Sequence, residues 1–244
     1  MRGGLDVREN ILFLPGLLCD EVVWRHQTAA LGARYDVVVA RLTDFASITA
    51  MAQAALALAP GSLSVVGHSM GARVALEMVR LAPDRIARLA LLDTGVHPVG
   101  AAEPGRRQQM IDLAETKGMA ALADRWLPPM VMAGALERDP ALDATLRAMV
   151  ERMSPEIHGR QIAALLGRRD AAPLLATIRC PVLVGVGRHD AWSPPEQHAA
   201  IVAAIPRARY VIFEESGHMA PMEAPEAVTA ALSEWMLQSA GETV

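Results

Sequence analysis

The sequence has few cysteines and no hydrophobic run long enough to cross a membrane. Its two cysteines, Cys19 and Cys180, are too few for a disulfide framework or a cysteine-rich metal site, and we interpret both as small hydrophobic residues near strand ends. No run of about 18 or more uncharged apolar residues occurs, which argues against a membrane partner. The opening residues, MRGGLDVREN, lack the apolar centre of a secretory signal, so we expect a cytoplasmic protein.

An excess of charge of one sign is also lacking. The chain carries 23 basic and 27 acidic residues, a formal net charge of −4 at pH 7. This balance gives no electrostatic reason to expect nucleic acid or an anionic membrane as a partner. Apolar residues are abundant, at 52% of 244, which is typical of a globular chain. The length suits one α/β domain that carries an insertion.

Short apolar runs alternate with helical patterns along the chain. The runs are rich in Val, Ile and Leu and lie at residues 11–14, 37–42, 63–66, 89–92, 182–186 and 210–213. Strands buried on both faces of a parallel sheet have this composition. The helical patterns lie at residues 47–59, 70–81, 194–205 and 225–238. The alternation predicts an α/β fold, with a mostly parallel sheet of about six to seven strands flanked by helices.

One segment, residues 98–178, interrupts this alternation. It shows helical patterns near residues 105–117, 119–126, 140–152 and 155–168, but no strand pattern. An all-helical insertion between two strands of one sheet must lie outside that sheet, so we expect a cap over one end of it. The predicted division is a core of residues 1–97 and 179–244 and a helical cap of residues 98–178.

The sequence Gly-His-Ser-Met-Gly at residues 67–71 stands between a predicted strand and a predicted helix. In this context G-x-S-x-G is typical of a nucleophilic serine on a strained turn. Gly67 and Gly71 leave room where strand and helix approach each other closely, and the helix N-terminus favours developing negative charge. We therefore predict Ser69 as a nucleophile.

A nucleophilic serine needs a base, and the base needs an orienting acid. Asp190 and His218 each follow a predicted strand, at the edge where parallel sheets hold their active sites. We predict His218 as the general acid and base and Asp190 as the residue that orients it. Asp93 also follows a predicted strand and is the alternative acid, although we expect it to be structural.

An oxyanion hole requires two backbone N–H donors near the nucleophile. One is predicted at Met70, directly after the serine. The other should come from the loop after the first strand, where Gly16 lets the backbone pass close to Ser69. We choose Leu17 as this donor, with Leu18 as the alternative.

These motifs give the chain a resemblance to the α/β-hydrolase superfamily along nearly its whole length. They are Pro-Gly at residues 15–16, Gly-His-Ser-Met-Gly at 67–71, Gly-Arg-His-Asp at 187–190 and Gly-His at 217–218. The chain is similar to small bacterial carboxylesterases of the pimeloyl-acyl-carrier methyl ester esterase and 3-oxoadipate enol-lactonase kinds. The resemblance implies hydrolysis of a small-molecule ester or lactone with no cofactor and no metal. Many relatives have His-Gly at the first motif, and the short N-terminus predicts a missing or reduced leading hairpin.

The predicted cap should supply the lid of the substrate pocket. We place Leu18, Trp126, Met130 and Trp192 at this pocket. Most cap methionines are expected to pack within the cap itself. His97 and His158 are candidate polar pocket groups, but we favour an ordinary surface position for both.

Several activities share this set of residues. The favoured one is cleavage of a small or medium carboxylic ester through an acyl-enzyme on Ser69. The alternatives are a lactonase or carbon–carbon bond hydrolase with the same triad, a cofactor-free oxygenase or perhydrolase, and a non-enzymatic ligand receptor. A dehalogenase with an aspartate nucleophile is disfavoured, because the residue at the strained turn is a serine, Ser69.

Overall fold

The structure is a computed structural model that describes residues 8–238. The sequence predictions about a secretory signal and a leading hairpin concern the start of the chain, where residues 1–7 lie outside the described range. Within residues 8–238, none of the helices combines the length and the apolar composition of a membrane-spanning segment.

Six strands form one sheet in which every neighbouring pair is parallel. They are β1 (Asn10–Leu14), β2 (Asp36–Val39), β3 (Leu63–His68), β4 (Ile86–Leu92), β5 (Val182–Gly187) and β6 (Ala208–Phe213). Their order across the sheet is β2-β1-β3-β4-β5-β6. The inner strands β3 and β5 are buried along their whole length, which explains their nearly continuous apolar sequence. The predicted α/β fold is confirmed.

Helices occupy the connections between the strands and the segment after the last strand. They are α1 (Arg25–Leu31), α2 (Ile48–Ala57), α3 (Met70–Leu81), α4 (Glu103–Trp126), α5 (Ala135–Arg138), α6 (Pro140–Glu151), α7 (Pro155–Leu166), α8 (Ala172–Leu175), α9 (Pro195–Ala204), α10 (Ala220–Glu223) and α11 (Pro225–Met236). Short 3-10 helices lie at Glu21–Trp24, Pro83–Arg85 and Pro128–Met130.

The strand order assigns the helices to the two faces of the sheet. The chain moves from β1 outward to β2, and then returns past β1 to β3 and onward to β6. With right-handed crossovers, α1 therefore lies on one face and α2, α3 and α9 on the other. The contacts agree, since α11 packs against α1 and α2 packs against α3. Apolar side chains from both faces form the core.

One predicted strand differs in extent from the structure. Strand β2 ends at Val39 rather than at residue 42, because its last bond to β1 is the one that the Ala40 N–H donates to the Phe13 carbonyl oxygen at 2.8 Å. The two helices predicted on either side of residue 118 are the two helical parts of α4. They meet at a kink at Gly118, whose φ of 83° is not helical and is one that glycine adopts at little cost.

The segment 98–178 contains helices α4 to α8 and, throughout its described residues, no strand. It leaves the sheet after the carboxyl end of β4 and returns at the start of β5. Connections from β1 and β3 depart in opposite directions, and such a switch point opens a crevice at the carboxyl ends of the strands. The loops after β1 and β3 meet at this crevice. The division into core and cap stays a prediction.

Candidate active site

Ser69 stands on a sharp turn between β3 and α3. Its backbone has φ 54° and ψ −115°, in a region that residues with a side chain rarely adopt. The turn is held by the Ser69 N–H, which donates to the Leu92 carbonyl oxygen at 2.9 Å. A methyl group on Gly71 would lie 2.0 Å from the Leu14 carbonyl oxygen. Glycine at residue 71 therefore lets the start of α3 touch the end of β1.

Three predicted residues from three loops meet at this turn. His218 Nε2 lies 2.8 Å from Ser69 Oγ, and His218 Nδ1 lies 2.8 Å from Asp190 Oδ2. Asp190 and His218 are 2% and 4% exposed, so little solvent screens their interaction. The geometry suits proton transfer from the hydroxyl to the imidazole, with the carboxylate fixing the ring.

The Asp190 carboxylate is held by its own turn. Its Oδ1 accepts from the N–H groups of Trp192 and Ser193, both at 2.8 Å, and its Oδ2 accepts from Ser193 Oγ at 2.7 Å. Burial alone would raise the pKa of Asp190, but the charge and hydrogen bond of His218 and the bonds from Ser193 outweigh it and lower the pKa. Asp190 is therefore ionised and fixed in position.

Asp93, the alternative acid, has a different environment. It is fully buried, and its Oδ1 accepts from the Gly187 N–H at 2.9 Å. Burial and the nearby charge of Asp190 raise the pKa of Asp93 well above its ordinary value. Its carboxyl group links the end of β4 to the end of β5, and the structure places Asp190 rather than Asp93 against His218.

The predicted oxyanion donors lie beside the nucleophile. Leu17 and Met70 both line a cavity that also contains Ser69 and His218. The alternative donor, the Leu18 N–H, is already occupied, since it donates to Gln161 Oε1 at 2.9 Å. The structure therefore favours Leu17 over Leu18 for this role.

This cavity has a volume of about 300 Å³, at the lower end of the range for small-molecule sites. The predicted residues Trp126, Met130 and Trp192 lie on its wall, along with apolar residues from the helical segment 98–178. Ser69 and His218 thus line a small, partly apolar cavity.

A model of the alpha/beta hydrolase family matches residues 11–231. The chain belongs to this family. The match covers nearly all of the described chain, and it confirms the resemblance drawn from the motifs around Ser69 and His218.

Individual relatives of this α/β-hydrolase include esterases and a lactonase. The pimeloyl-acyl-carrier-protein methyl ester esterase of Aromatoleum aromaticum is 29% identical, over 90% of this chain and 94% of its own. A thermophilic esterase from Thermogutta terrifontis, solved with malate bound, has a TM-score of 0.87 and 29% identity, over 93% of this chain and 89% of that one. The enol-lactonase from Burkholderia xenovorans LB400 has a TM-score of 0.86 and 26% identity, over 98% of this chain and 94% of that chain.

Two predictions about the pocket of this hydrolase are wrong. Leu18 does not line the cavity, because its backbone has a φ of 58° and its fully buried side chain joins the core. His158 is not a surface residue, since it is 1% exposed and lies on the cavity wall. Burial is the main cause that lowers the pKa of His158 to about 4, and the charge of Arg107 adds to it. His97 is exposed and lies at the cavity edge.

Gln161 is a site residue that the sequence did not indicate. It is fully buried on α7, and its carbonyl oxygen accepts the Leu18 N–H. Its amide also donates to the Leu42 carbonyl oxygen at 3.5 Å. Gln161 thus ties the helical segment to the loop that carries the predicted oxyanion donor. An isolated glutamine in a helical pattern gives no sequence signal for this role.

Glu223 is a second residue that the motif analysis missed. Its carboxylate accepts from the N–H groups of Met132, Gly217 and Met219, at 2.7, 2.9 and 3.2 Å. Burial raises the pKa of Glu223 despite these bonds. The side chain joins the two residues that flank His218 to the helical segment. Its position five residues after the histidine was the only available signal.

A cluster of charged residues on the cavity wall also escaped prediction. It consists of Arg73, Glu103, Arg107 and Arg168, which come from three separate parts of the chain. Elsewhere, Cys19 is buried and Cys180 half-buried, and neither forms a disulfide. Within residues 8–238, no group of three or more His, Cys, Asp or Glu side chains is arranged to hold a metal ion.

Proposed function

We propose that this hydrolase cleaves small carboxylic esters through an acyl-enzyme on Ser69. The observation that carries the proposal is the continuous pair of 2.8 Å contacts from Ser69 Oγ through His218 to Asp190, at the floor of a cavity of about 300 Å³. The size of that cavity favours a small substrate over a long-chain lipid. The esterases among its relatives support the same reaction class.

The proposed reaction begins with attack by Ser69 Oγ on the ester carbonyl carbon, as His218 Nε2 takes the hydroxyl proton. The tetrahedral oxyanion faces the N–H groups of Leu17 and Met70, beside the N-terminus of α3. His218 then gives its proton to the leaving alcohol, and the acyl group stays on Ser69. The charge of Asp190 stabilises the imidazolium that forms at each transfer.

Deacylation repeats these steps with water as the nucleophile. His218 takes a proton from water as the water oxygen adds to the acyl carbon. When the tetrahedral intermediate collapses and releases the acid, His218 gives that proton back to Ser69 Oγ. Each step uses only side chains and backbone groups of this chain, together with water.

Lactone hydrolysis is the second candidate function. The enol-lactonase structure from Burkholderia xenovorans is similar over 98% of this chain, which favours this alternative over the others. A lactone is a cyclic ester, so the same attack opens its ring and leaves the new hydroxyl group on the acyl chain. The triad is the same for both substrates, and the shape of the cavity decides between them.

Substrate profiling on the purified protein tests this proposal. Activated esters with acyl chains from acetyl to octanoyl, together with small lactones, are compared for kcat/KM. We expect the shortest acyl chains to be the best esters, and Ser69→Ala to lower kcat/KM by about 10⁴-fold or more. The matched control is Ser62→Ala, an exposed serine outside the cavity, which should keep full activity. Equal turnover by Ser69→Ala and the natural protein would rule the proposal out.

A further inference from the structure

The cavity lining carries more positive charge than the proposed reaction needs. It includes Arg73, Arg106, Arg107 and Arg168, with Glu103 and Asp93 as its acidic residues. Apolar side chains complete the lining, among them Leu17, Met110, Trp126, Met130 and Ile162. A substrate in this cavity therefore meets both apolar surface and guanidinium groups.

Glu103 is fully engaged by two of the arginines. Arg168 donates to both of its carboxylate oxygens, at 2.9 and 2.7 Å, and Arg107 donates twice to Oε1, at 3.2 and 3.0 Å. Burial opposes ionisation of Glu103, but these bonds outweigh it and lower its pKa to about 2. Arg168 also donates to the carbonyl oxygens of His97, Pro98 and Leu165. These two arginines are structural.

Arg73 has no such partner. Its guanidinium donates to the His97 carbonyl oxygen at 3.1 Å, and no carboxylate of residues 8–238 lies within ion-pair distance of it. Burial first, and then the charge of Arg168, lower the pKa of Arg73 to about 9. The group is still a cation at neutral pH, held beside other cations. An anion that entered the cavity would relieve this repulsion.

Arg73 is also close to the proposed nucleophile. It stands one helical turn after Ser69, and its N–H donates to the Ser69 carbonyl oxygen at 3.4 Å. Both side chains line the same cavity of about 300 Å³. A short acyl chain in that cavity can therefore contact both Ser69 Oγ and the Arg73 guanidinium.

The acyl half of the substrate is the half that can keep a lasting contact with Arg73. The alcohol leaves the cavity before water attacks, whereas the acyl group stays bonded to Ser69 until deacylation. A carboxylate on the acyl half can therefore stay paired with Arg73 through both half-reactions. One free planar guanidinium fork matches one carboxylate.

Resting on the function proposed above, we propose that Arg73 forms a carboxylate-binding subsite, and that the substrate is a monoester of a short dicarboxylic acid. The free carboxylate would pair with Arg73 while the ester carbonyl lies at Ser69 Oγ. Arg107 and Arg168 position this subsite through Glu103 and add positive potential.

The test compares matched esters that differ in the far end of the acyl chain. Monomethyl succinate and monomethyl glutarate carry a free carboxylate, whereas methyl butyrate and dimethyl succinate do not. The readout is the ratio of kcat/KM for the acidic over the neutral esters. A charge-assisted pair predicts a ratio of about 10–100 for the natural protein. In Arg73→Gln that ratio should fall by about 10-fold or more. In Arg73→Lys only part of it should return, because the ammonium keeps the charge but not the planar fork.

Arg125→Gln is the matched control, because Arg125 is an exposed arginine on α4 outside the cavity. It makes the same change in charge and should keep both the ratio and the activity. A ratio near one in the natural protein, or an unchanged ratio in Arg73→Gln, would overturn the subsite. Thermal melting of each variant separates loss of the fold from loss of the subsite.

Calorimetry separates this inference from the proposed function. Succinate is titrated into Ser69→Ala and into the double variant with Arg73→Gln, so that no turnover is required. Binding to the first and not to the second supports the subsite even if the natural protein cleaves no ester. Equal binding to both, no binding to Ser69→Ala, or tighter binding of inorganic phosphate than of succinate would contradict it.

Discussion

The imidazole of His68 donates a hydrogen bond from Nε2 to the backbone carbonyl oxygen of His218, across 2.7 Å. A carbonyl oxygen only accepts, so the proton must reside on Nε2. Burial, with the charge of His218 second, lowers the pKa of His68 to about 3, so the ring is neutral at pH 7. The residue before the proposed nucleophile thus holds the backbone of the proposed base.

This contact predicts that His68 is a positioning residue. His68→Leu leaves the His218 carbonyl oxygen buried without a donor, which should lower the free energy of unfolding by about 1–3 kcal/mol and also lower kcat. His68→Gln, whose amide can donate to the same oxygen, should recover most of both. Urea unfolding and steady-state kinetics measure the two effects. Equal stability and kcat in His68→Leu and the natural protein would show that the bond has no such role.

The bond between Gln161 and the Leu18 N–H gives a second prediction. Leu18 is held at a φ of 58°, so without this bond the loop should relax and turn the Leu17 N–H away from the oxyanion. We expect Gln161→Leu to lower kcat by about 10-fold, with a smaller change in KM. Removal of an oxyanion-hole donor itself typically lowers kcat by about 10²–10³-fold. Gln108→Leu, the same change at an exposed position on α4, is the control. A larger effect on KM than on kcat would argue against a role in the oxyanion hole.

The close approach of α3 to β1 gives a third prediction. In Gly71→Ala the added methyl group would collide with the Leu14 and Pro15 carbonyl oxygens, at 2.0 and 2.7 Å. We expect a loss of about 1–3 kcal/mol in unfolding free energy, together with loss of activity as the oxyanion loop shifts. Gly159 on α7 has open space around its Cβ position, so Gly159→Ala should instead add about 0.5–1 kcal/mol. Chemical denaturation distinguishes the two, and a neutral Gly71→Ala would contradict the packing described here.

The ion pair of Glu103 with Arg168 gives a pH-dependent prediction. The folded-state pKa of Glu103 lies near 2 against an ordinary 4.5, so its contribution to stability is complete above pH 4.5 and is lost as the pH falls towards 2. At pH 7 Glu103→Gln should be less stable by about 1.5–3 kcal/mol. That difference should narrow between pH 4.5 and 2, as followed by urea unfolding. Glu115→Gln, a change at an exposed residue on the same helix, is the control. If the difference in unfolding free energy between Glu103→Gln and the natural protein stayed constant down to pH 2, the lowered pKa of Glu103 would be contradicted.

The local patterns of the sequence were sufficient for the fold, and they selected the three proposed triad residues that lie in contact in the structure. Ser69 is predictable because the strand, the turn and the helix around it are adjacent in the chain. The short motif at this turn is also the one that places a serine on a strained backbone. Asp190 and His218 are predictable because parallel strands bring their carboxyl ends to one edge of the sheet.

The rest of the site depends on contacts between residues far apart in the sequence, which local patterns do not predict. Leu18 was misplaced because a positive φ at a single loop residue reverses the direction of its side chain. Gln161, Glu103, Arg107 and Arg168 lie in the segment 98–178, whose packing no strand rule predicts. No sequence signal therefore indicated that Glu103, Arg107 and Arg168 would line one cavity with Arg73 of α3. The proposed carboxylate subsite is therefore visible only in three dimensions.

The formation of an acyl group on Ser69 is the central claim of this account, and intact-protein mass spectrometry tests it most directly. The protein is mixed with an activated short-chain ester and quenched within the first turnover. We predict one acyl group per chain, located on the peptide that contains Ser69, and no adduct in Ser69→Ala. An acyl group on another residue, or continued turnover in Ser69→Ala, would contradict the account.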